Sequence, residues 1–311
     1  MRGFQVRAEA VDRVGLPALM LSEKTQVLMR EVFDRDELFA GLPRIETRVV
    51  AWGRDAEPRS FPHSAVIVSE QELLARLRPP TAEGQCDVPP DWTILASRPF
   101  SSPSVERRYG SRVATLVPVG LTGRAKRFTC WIESVREGWL FLIPGGEGRG
   151  WLLAVGGTHH SLLTDSRLVS KQIQNVEESS GQFPAYPAMA DPFCGPGWLA
   201  CGSAALSFDP LCGDGTGNAI REAILATAVI RAAVDGAREE DLREHYRSRL
   251  LAAFLRHLKV CRQFYGTAHN APWWKTEVAL IDEGIEFCHC ELASAPPFFR
   301  YRLRGYDLQR L

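Results

Sequence analysis

Between Gly197 and Ala219 the chain reads Gly-Trp-Leu-Ala-Cys-Gly-Ser-Ala-Ala-Leu-Ser-Phe-Asp-Pro-Leu-Cys-Gly-Asp-Gly-Thr-Gly-Asn-Ala. No other stretch restricts the local fold as much. An apolar strand is expected to reach Gly202, followed by tiny residues that let another group approach the backbone closely. Asp209-Pro210 reads as a turn. Gly213, Gly215 and Gly217 then lead into an alanine-rich helix ending near Gly236. The first N–H groups of such a helix have no intrahelical acceptor and sit at the positive end of its dipole, so glycines there open it to an anion or an electron-rich ring edge. Composition alone favours the plainer alternative, a tight, closely packed turn. The spacing is G-x-G-x-G rather than G-x-G-x-x-G, a weak signal by itself.

Around this run the hydrophobic period changes along the chain. Apolar residues at helical spacing predict a helix over 21–38, with Ser22 as its cap. A buried strand over 64–69 and a helix over 70–77 follow, then a proline-rich loop over 78–90. From Trp92 the period falls to two. Strands are expected over 92–97, 112–119, 127–135, 138–143 and 150–155, the last two joined by a hairpin loop over 144–149. Residues 161–178 read as helix, 183–196 as loop, and 242–264 carry a helical stripe continued by a packed helical tail. The fold class expected is therefore α/β (α+β), with an antiparallel sheet rich in aromatics.

Lysine plus arginine and aspartate plus glutamate balance at 37 each in 311 residues, which argues against a broad electrostatic grip on nucleic acid or an anionic membrane. No apolar run approaches the ~20 residues of a membrane span, and no secretory segment is visible. Eight cysteines in a chain of this length fit reduced thiols in a cytoplasmic protein better than a disulfide framework. Cys288-His289-Cys290 lacks the spacing of a zinc site, and no metal is expected. His63 and the pair His159-His160 read as loop or strand-end histidines, with general-base chemistry as the sharper alternative. Glu133 either faces a cavity or turns to water.

The order of the Gly197–Ala219 run resembles the second FAD motif of flavoprotein hydroxylases with a para-hydroxybenzoate hydroxylase-like fold. Gly202-Ser203-Ala204-Ala205, Asp209-Pro210-Leu211 and Gly213-Asp214-Gly215 stand where that family has Gly-Asp-Ala-Ala, Asp-Pro and its glycine loop. Ser203 replaces the family's usual acid. Gly138-Trp139-Leu140-Phe141-Leu142-Ile143-Pro144 resembles the Gly-Trp-x-Trp-x-Ile-Pro stretch of tryptophan halogenase-like proteins, and Asp91 to Arg98 is a weaker echo of an FAD-contacting strand. The resemblance covers about 21–233. It implies FAD as cofactor, with Gly202, Ser203, Asp209, Pro210, Gly213, Asp214 and Gly215 in contact with it and Trp139 and Phe141 lining the substrate cavity. It assigns no catalytic residue. Lys24, the one lysine in the first hundred residues, reads as a helix surface charge, so halogenation is not assigned.

That family opens with a strand, a G-x-G-x-x-G turn and a helix that hold the FAD pyrophosphate. Residues 1–41 contain no such unit. The resemblance thus implies an N-terminally incomplete FAD-binding domain from 1–100 and 191–236, an antiparallel substrate-binding sheet over 101–190, and C-terminal helices over 237–311. FAD binding is then weak or absent in this form, or the natural chain starts further upstream, or another ligand fills the cleft. The function expected is an FAD-dependent, monooxygenase-like oxidoreductase acting on an aromatic or electron-rich substrate, small or peptide-borne. The alternative is a degenerate flavoprotein scaffold serving as a binding or maturation partner.

Overall fold

A computed structural model describes residues 4–9, 15–77, 89–98, 104–179, 181–212, 214–294 and 301–311. The expected proline-rich loop falls mostly outside these residues, as do Gly213 and Cys86. In chain order the first part holds β1 (Leu19–Ser22), α1 (Glu23–Phe33), β2 (Arg44–Ala51), β3 (Arg59–Val68), α2 (Glu70–Leu77), β4 (Thr93–Leu95), β5 (Val105–Arg108) and β6 (Val113–Leu121). Then come β7 (Thr129–Val135), β8 (Gly138–Gly146), β9 (Arg149–Gly156), α3 (His159–Asp165), β10 (Ile173–Val176), β11 (Gly181–Pro184), β12 (Ala188–Asp191) and β13 (Cys194–Gly195). The last part holds β14 (Trp198–Ala200), β15 (Leu206–Ser207), α4 (Gly215–Val234), α5 (Glu239–Ala268), α6 (Pro272–Ser294), β16 (Tyr301–Arg304) and β17 (Asp307–Arg310).

A nine-stranded sheet in the order β1-β3-β2-β7-β8-β9-β6-β10, with β11 also on β6, dominates the fold. It joins strands from 19–68 with strands from 113–184. All its pairs are antiparallel except β2–β7. Alternation sets its two faces. Cys130, Ile132, Trp139, Phe141, Ile143, Leu153 and Val155 point inward, into a core shared with α4, α5 and α6. Trp131, Val135, Leu140, Leu142, Leu152 and Ala154 point outward, into a second core closed by Leu162, Leu168 and Val169. The β8–β9 turn centres on Glu147 and Gly148, with φ of 50° and 73°. Positive φ at both central positions matches the twist of the strands.

Away from this sheet, β4 and β14 pair in parallel, with Leu199 opposite Ile94. Chain after β14 runs through a short turn at Gly202–Ala204, then β15, then into α4. This is the strand–loop–helix unit that the Gly197–Ala219 run predicts.

Three expectations are corrected. The helix over 21–38 stops at Phe33, where Asp34 takes φ 52° and closes it; Ser22 caps the start by accepting from the Thr25 N–H. The helix over 161–178 is only His159–Asp165, followed by strand β10. The cause is Glu133, whose carboxylate accepts from the backbone N–H of Arg167 (2.7 Å), Leu168 (3.1 Å) and Val169 (2.9 Å) and from Ser166 Oγ (2.5 Å). Those donors are thereby drawn out of helical geometry. The segment 183–196 is not loop but the edge pairings β11–β6 and β12–β5 and the short strand β13.

Candidate flavin-binding site

Gly202 follows β14 with φ 56°, and a Cβ there would stand 3.2 Å from the Ala96 carbonyl oxygen. Glycine is therefore required at this turn. Its N–H donates to Glu222 Oε2 at 2.7 Å, so α4 holds the turn from behind. Glu222 is buried and its other oxygen, Oε1, has no partner. Burial pushes this carboxyl up to about 8, against the opposing effect of the Gly202 N–H. Ser203 is exposed beside it, with its hydroxyl 3.4 Å from the Ala96 carbonyl.

At the start of α4, Asp214 makes no side-chain cap. Its carboxylate is used sideways instead, accepting from Thr25 Oγ1 on α1 (2.5 Å) and from Arg221 Nη1 (2.8 Å). The first helical N–H groups are left without a side-chain acceptor. Among the described residues a Cβ added at Gly215 would meet nothing within 4 Å, whereas one at Gly217 would run into the Asp214 carboxylate. The helix start is thus open at Gly215 and closed at Gly217.

Asp209 is placed differently from what a surface loop acid would suggest. It is buried and joins a polar network that links three parts of the fold. Its Oδ2 accepts from Arg112 Nε (2.6 Å) and Tyr265 Oη (2.7 Å), and its Oδ1 from the Leu211 N–H (2.8 Å). Arg112, just before β6, also pairs through Nη1 with Glu277 of α6, and its guanidinium lies 4.4 Å from the centre of the Tyr265 ring. Ser111 donates to Glu277 through both N–H (3.1 Å) and Oγ (2.7 Å). The Asp209 N–H donates to His257 Nε2 at 2.9 Å, and Trp139 Nε1 donates to Tyr265 Oη at 3.0 Å. Burial opposes the Arg112 charge, but Tyr265, Asp209 and Glu277 around it hold its pKa above the ordinary value. Burial, with Asp209 alongside, raises the Tyr265 phenol well above its own. Asp209 therefore fixes the Pro210–Cys212 turn from within.

Trp139 and Phe141 share the inner face of β8. Trp139 is fully enclosed and tied to Tyr265, while Phe141 retains 9 % exposure. Cys288 is buried and Cys290 exposed on α6. His159 and His160 open α3 with rings 4.1 Å apart. A separate hollow of about 860 Å³ lies at the carboxyl ends of β2 and β7, lined by Arg54, Asp55, Arg136, Arg167, Lys171 and His269 among others. Its charges are of mixed sign.

Sequence reasoning missed Arg112, Tyr265, Glu277 and Glu222. Only Glu222 carries a signal, the one acid inside an alanine-rich helix. The others are joined by chain separations of 97, 56 and 165 residues, which no local pattern exposes.

Compared with solved structures, the chain aligns with the flavin-dependent halogenase CmlS at a TM-score of 0.71 and 15% identity, covering 96% of this chain and 77% of that one. It aligns with the peptidyl tryptophan dihydroxylase QhpG at 0.64 and 17%, covering 94% and 77%. The chain has a flavoprotein monooxygenase fold. Among curated proteins, the chain is 28% identical over 151 residues to a 1H-pyrrole-2-carbonyl-[peptidyl-carrier protein] brominase of Pseudoalteromonas luteoviolacea (strain 2ta16). That match takes in 46% of the chain and 37% of the relative's length. No family model matches.

The residues present fit the ring end of a flavin. The uncapped N–H groups at Gly215 and the open space beside it among the described residues suit an electron-rich ring edge, and the left-handed Gly202 turn leaves Ser203 exposed next to it. Among the described residues no glycine-rich strand–turn–helix unit stands alongside.

Proposed function

We propose that the chain is an FAD-dependent oxidoreductase of monooxygenase type, acting on an aromatic or electron-rich substrate that is free or carried on a peptide or carrier protein. The observation that carries the reading is the open, uncapped start of α4, set behind a glycine turn on a fold shared with flavin-dependent enzymes. Bound FAD would supply the redox chemistry. The chain's own residues have four tasks. Gly215 and the α4 N–H groups hold the ring edge. Gly202 and Ser203 receive the ribityl chain, with Ser203 as the hydrogen-bonding side chain. Asp209, anchored by Arg112 and Tyr265, keeps Pro210 and Leu211 in place. Phe141 and its neighbours on the inner sheet face provide an apolar wall that excludes water.

The test supplies reduced FAD and oxygen to the purified chain with a panel of a phenol, an indole, a pyrrole and a tryptophan-containing peptide, each with and without bromide. The reading expects a product heavier by one oxygen atom from at least one substrate. Halogenated product appearing only with bromide would move the assignment to a halogenase. Consumption of reduced flavin at the protein-free rate, with every substrate unchanged, would contradict it.

A further inference from the structure

Asp209, Pro210 and Leu211 lie just ahead of the open start of α4. Their backbone donors can be accounted for one by one. Pro210 has no N–H. The Leu211 N–H turns back to Asp209 Oδ1 at 2.8 Å. The Asp209 N–H, on a buried residue, goes to His257 Nε2 of α5 at 2.9 Å. Leu211 is thus settled within the turn itself, while the Asp209 peptide is settled by one atom of a distant helix. Tyr265, about two helical turns beyond His257, donates to the Asp209 carboxylate at 2.7 Å. One face of α5 therefore sets both the peptide and the side chain of Asp209.

The imidazole of His257 is buried, and the Phe208 ring stands edge-on to it, with centroids 4.7 Å apart and planes at 79°. Two donors converge on Nε2: the Asp209 N–H and the thiol of Cys261, one helical turn on, whose sulfur lies 3.3 Å away. A nitrogen that accepts carries no proton, so the form that makes this bond is the neutral imidazole with its proton on Nδ1. Take the acceptor away and a buried N–H is left unpaired, which is costly enough to move the peptide. Pro210 and Leu211 move with it, and they border the approach to the α4 N–H groups. We propose that His257 is a positioning residue for the flavin: as its Nδ1–H tautomer it fixes the Asp209–Pro210 peptide, and through it the turn beside the ring edge. This rests on the proposed function and adds to it a residue that touches neither flavin nor substrate.

The test uses the full chain and FAD, with binding followed by quenching of flavin fluorescence. His257→Gln places an amide oxygen at the reach of Nε2. His257→Leu has no acceptor, and in His257→Asn the oxygen stands one bond nearer the helix and falls short of Asp209. Expected is an affinity in His257→Gln within about threefold of the parent, and about tenfold weaker in the other two, the worth of one hydrogen bond. The visible absorption bands of bound FAD should shift in His257→Leu and return in His257→Gln; a ring that only fills space would alter stability and leave the bands in place. Nitrogen NMR of the parent imidazole should show Nε2 without a proton. Circular dichroism checks folding, and His257→Asn decides the matter where His257→Leu does not fold. Unchanged affinity in a folded His257→Leu or His257→Asn would overturn the proposal. So would a His257→Gln as weak as they are, or a proton on Nε2. The hold on the turn is also read without flavin, as hydrogen exchange at the Asp209 amide, which should be slow in the parent and in His257→Gln and fast in the other two. FAD binding indifferent to His257 sinks this proposal alone. No FAD binding by a parent whose Asp209 amide is protected sinks the function reading and the flavin role of His257 with it.

Discussion

Replacing Arg112 with methionine removes the one cation from a cluster in which it and both carboxylate partners have fully buried side chains. Asp209 keeps Tyr265 Oη and the Leu211 N–H, and Glu277 keeps Ser111, but neither keeps a counter-charge. Breaking a buried ion pair by removing one partner costs ~3–5 kcal/mol. In a chain of this size each kcal/mol lowers Tm by about 2 °C, so a drop of about 6–10 °C is expected in Arg112→Met. The neutral triple variant, Arg112→Met with Asp209→Asn and Glu277→Gln, should recover much of that loss, since removing all the charges removes the uncompensated ones. Thermal unfolding followed by circular dichroism, checked by urea titration, reads both. A single variant within about 1 kcal/mol of the parent, or a triple variant no better than the single, would show that the cluster does not hold the 209–212 turn by charge pairing.

Other outcomes follow from the same contacts. Because the Glu222 carboxyl is raised to about 8 in the folded chain, folding takes up a proton between the ordinary carboxylate range and that value. Stability from this group is greatest at low pH and falls as pH rises through that window. Glu222→Gln should flatten the slope and be the more stable protein at pH 9, and urea unfolding at pH 6 and 9 giving parallel changes would refute this. Glu133→Gln faces backbone donors with an amide and should cost about 2–3 kcal/mol, with hydrogen exchange at Arg167, Leu168 and Val169 accelerated; unchanged exchange there would contradict the role given to Glu133. Gly217→Ala places a methyl against the Asp214 carboxylate and should release its bonds to Thr25 and Arg221, seen as faster exchange at the start of α4. Retained protection there would contradict it.

The sequence made some of this legible and hid the rest for physical reasons. The apolar, aromatic-rich strands over 112–155 were legible as β6 to β9 because both faces of those strands are largely buried and need apolar residues, and the Gly197–Ala219 run located the strand, turn and helix that build the candidate site. The failure at 161–178 has one cause. That segment has helical spacing, but Glu133, 34 to 36 residues before Arg167, Leu168 and Val169 in the chain, takes their N–H groups. Asp209 was recognisable as a turn residue, but not as a buried ligand of Arg112. A buried charge network is assembled by tertiary contact, and each member alone looks like an ordinary surface residue.

The most direct test of the account is FAD binding by the 311-residue chain and its Gly215→Val variant, followed by quenching of flavin fluorescence. Among the described residues a Cβ at Gly215 meets no atom within 4 Å, and valine is no worse than glycine in a helix, so the variant should unfold like the parent while occupying the space given to the ring. Saturable quenching by the parent, weakened at least tenfold in a stable Gly215→Val, is the predicted result. No quenching by a folded parent, or equal quenching by both proteins, would contradict a flavin site at the start of α4.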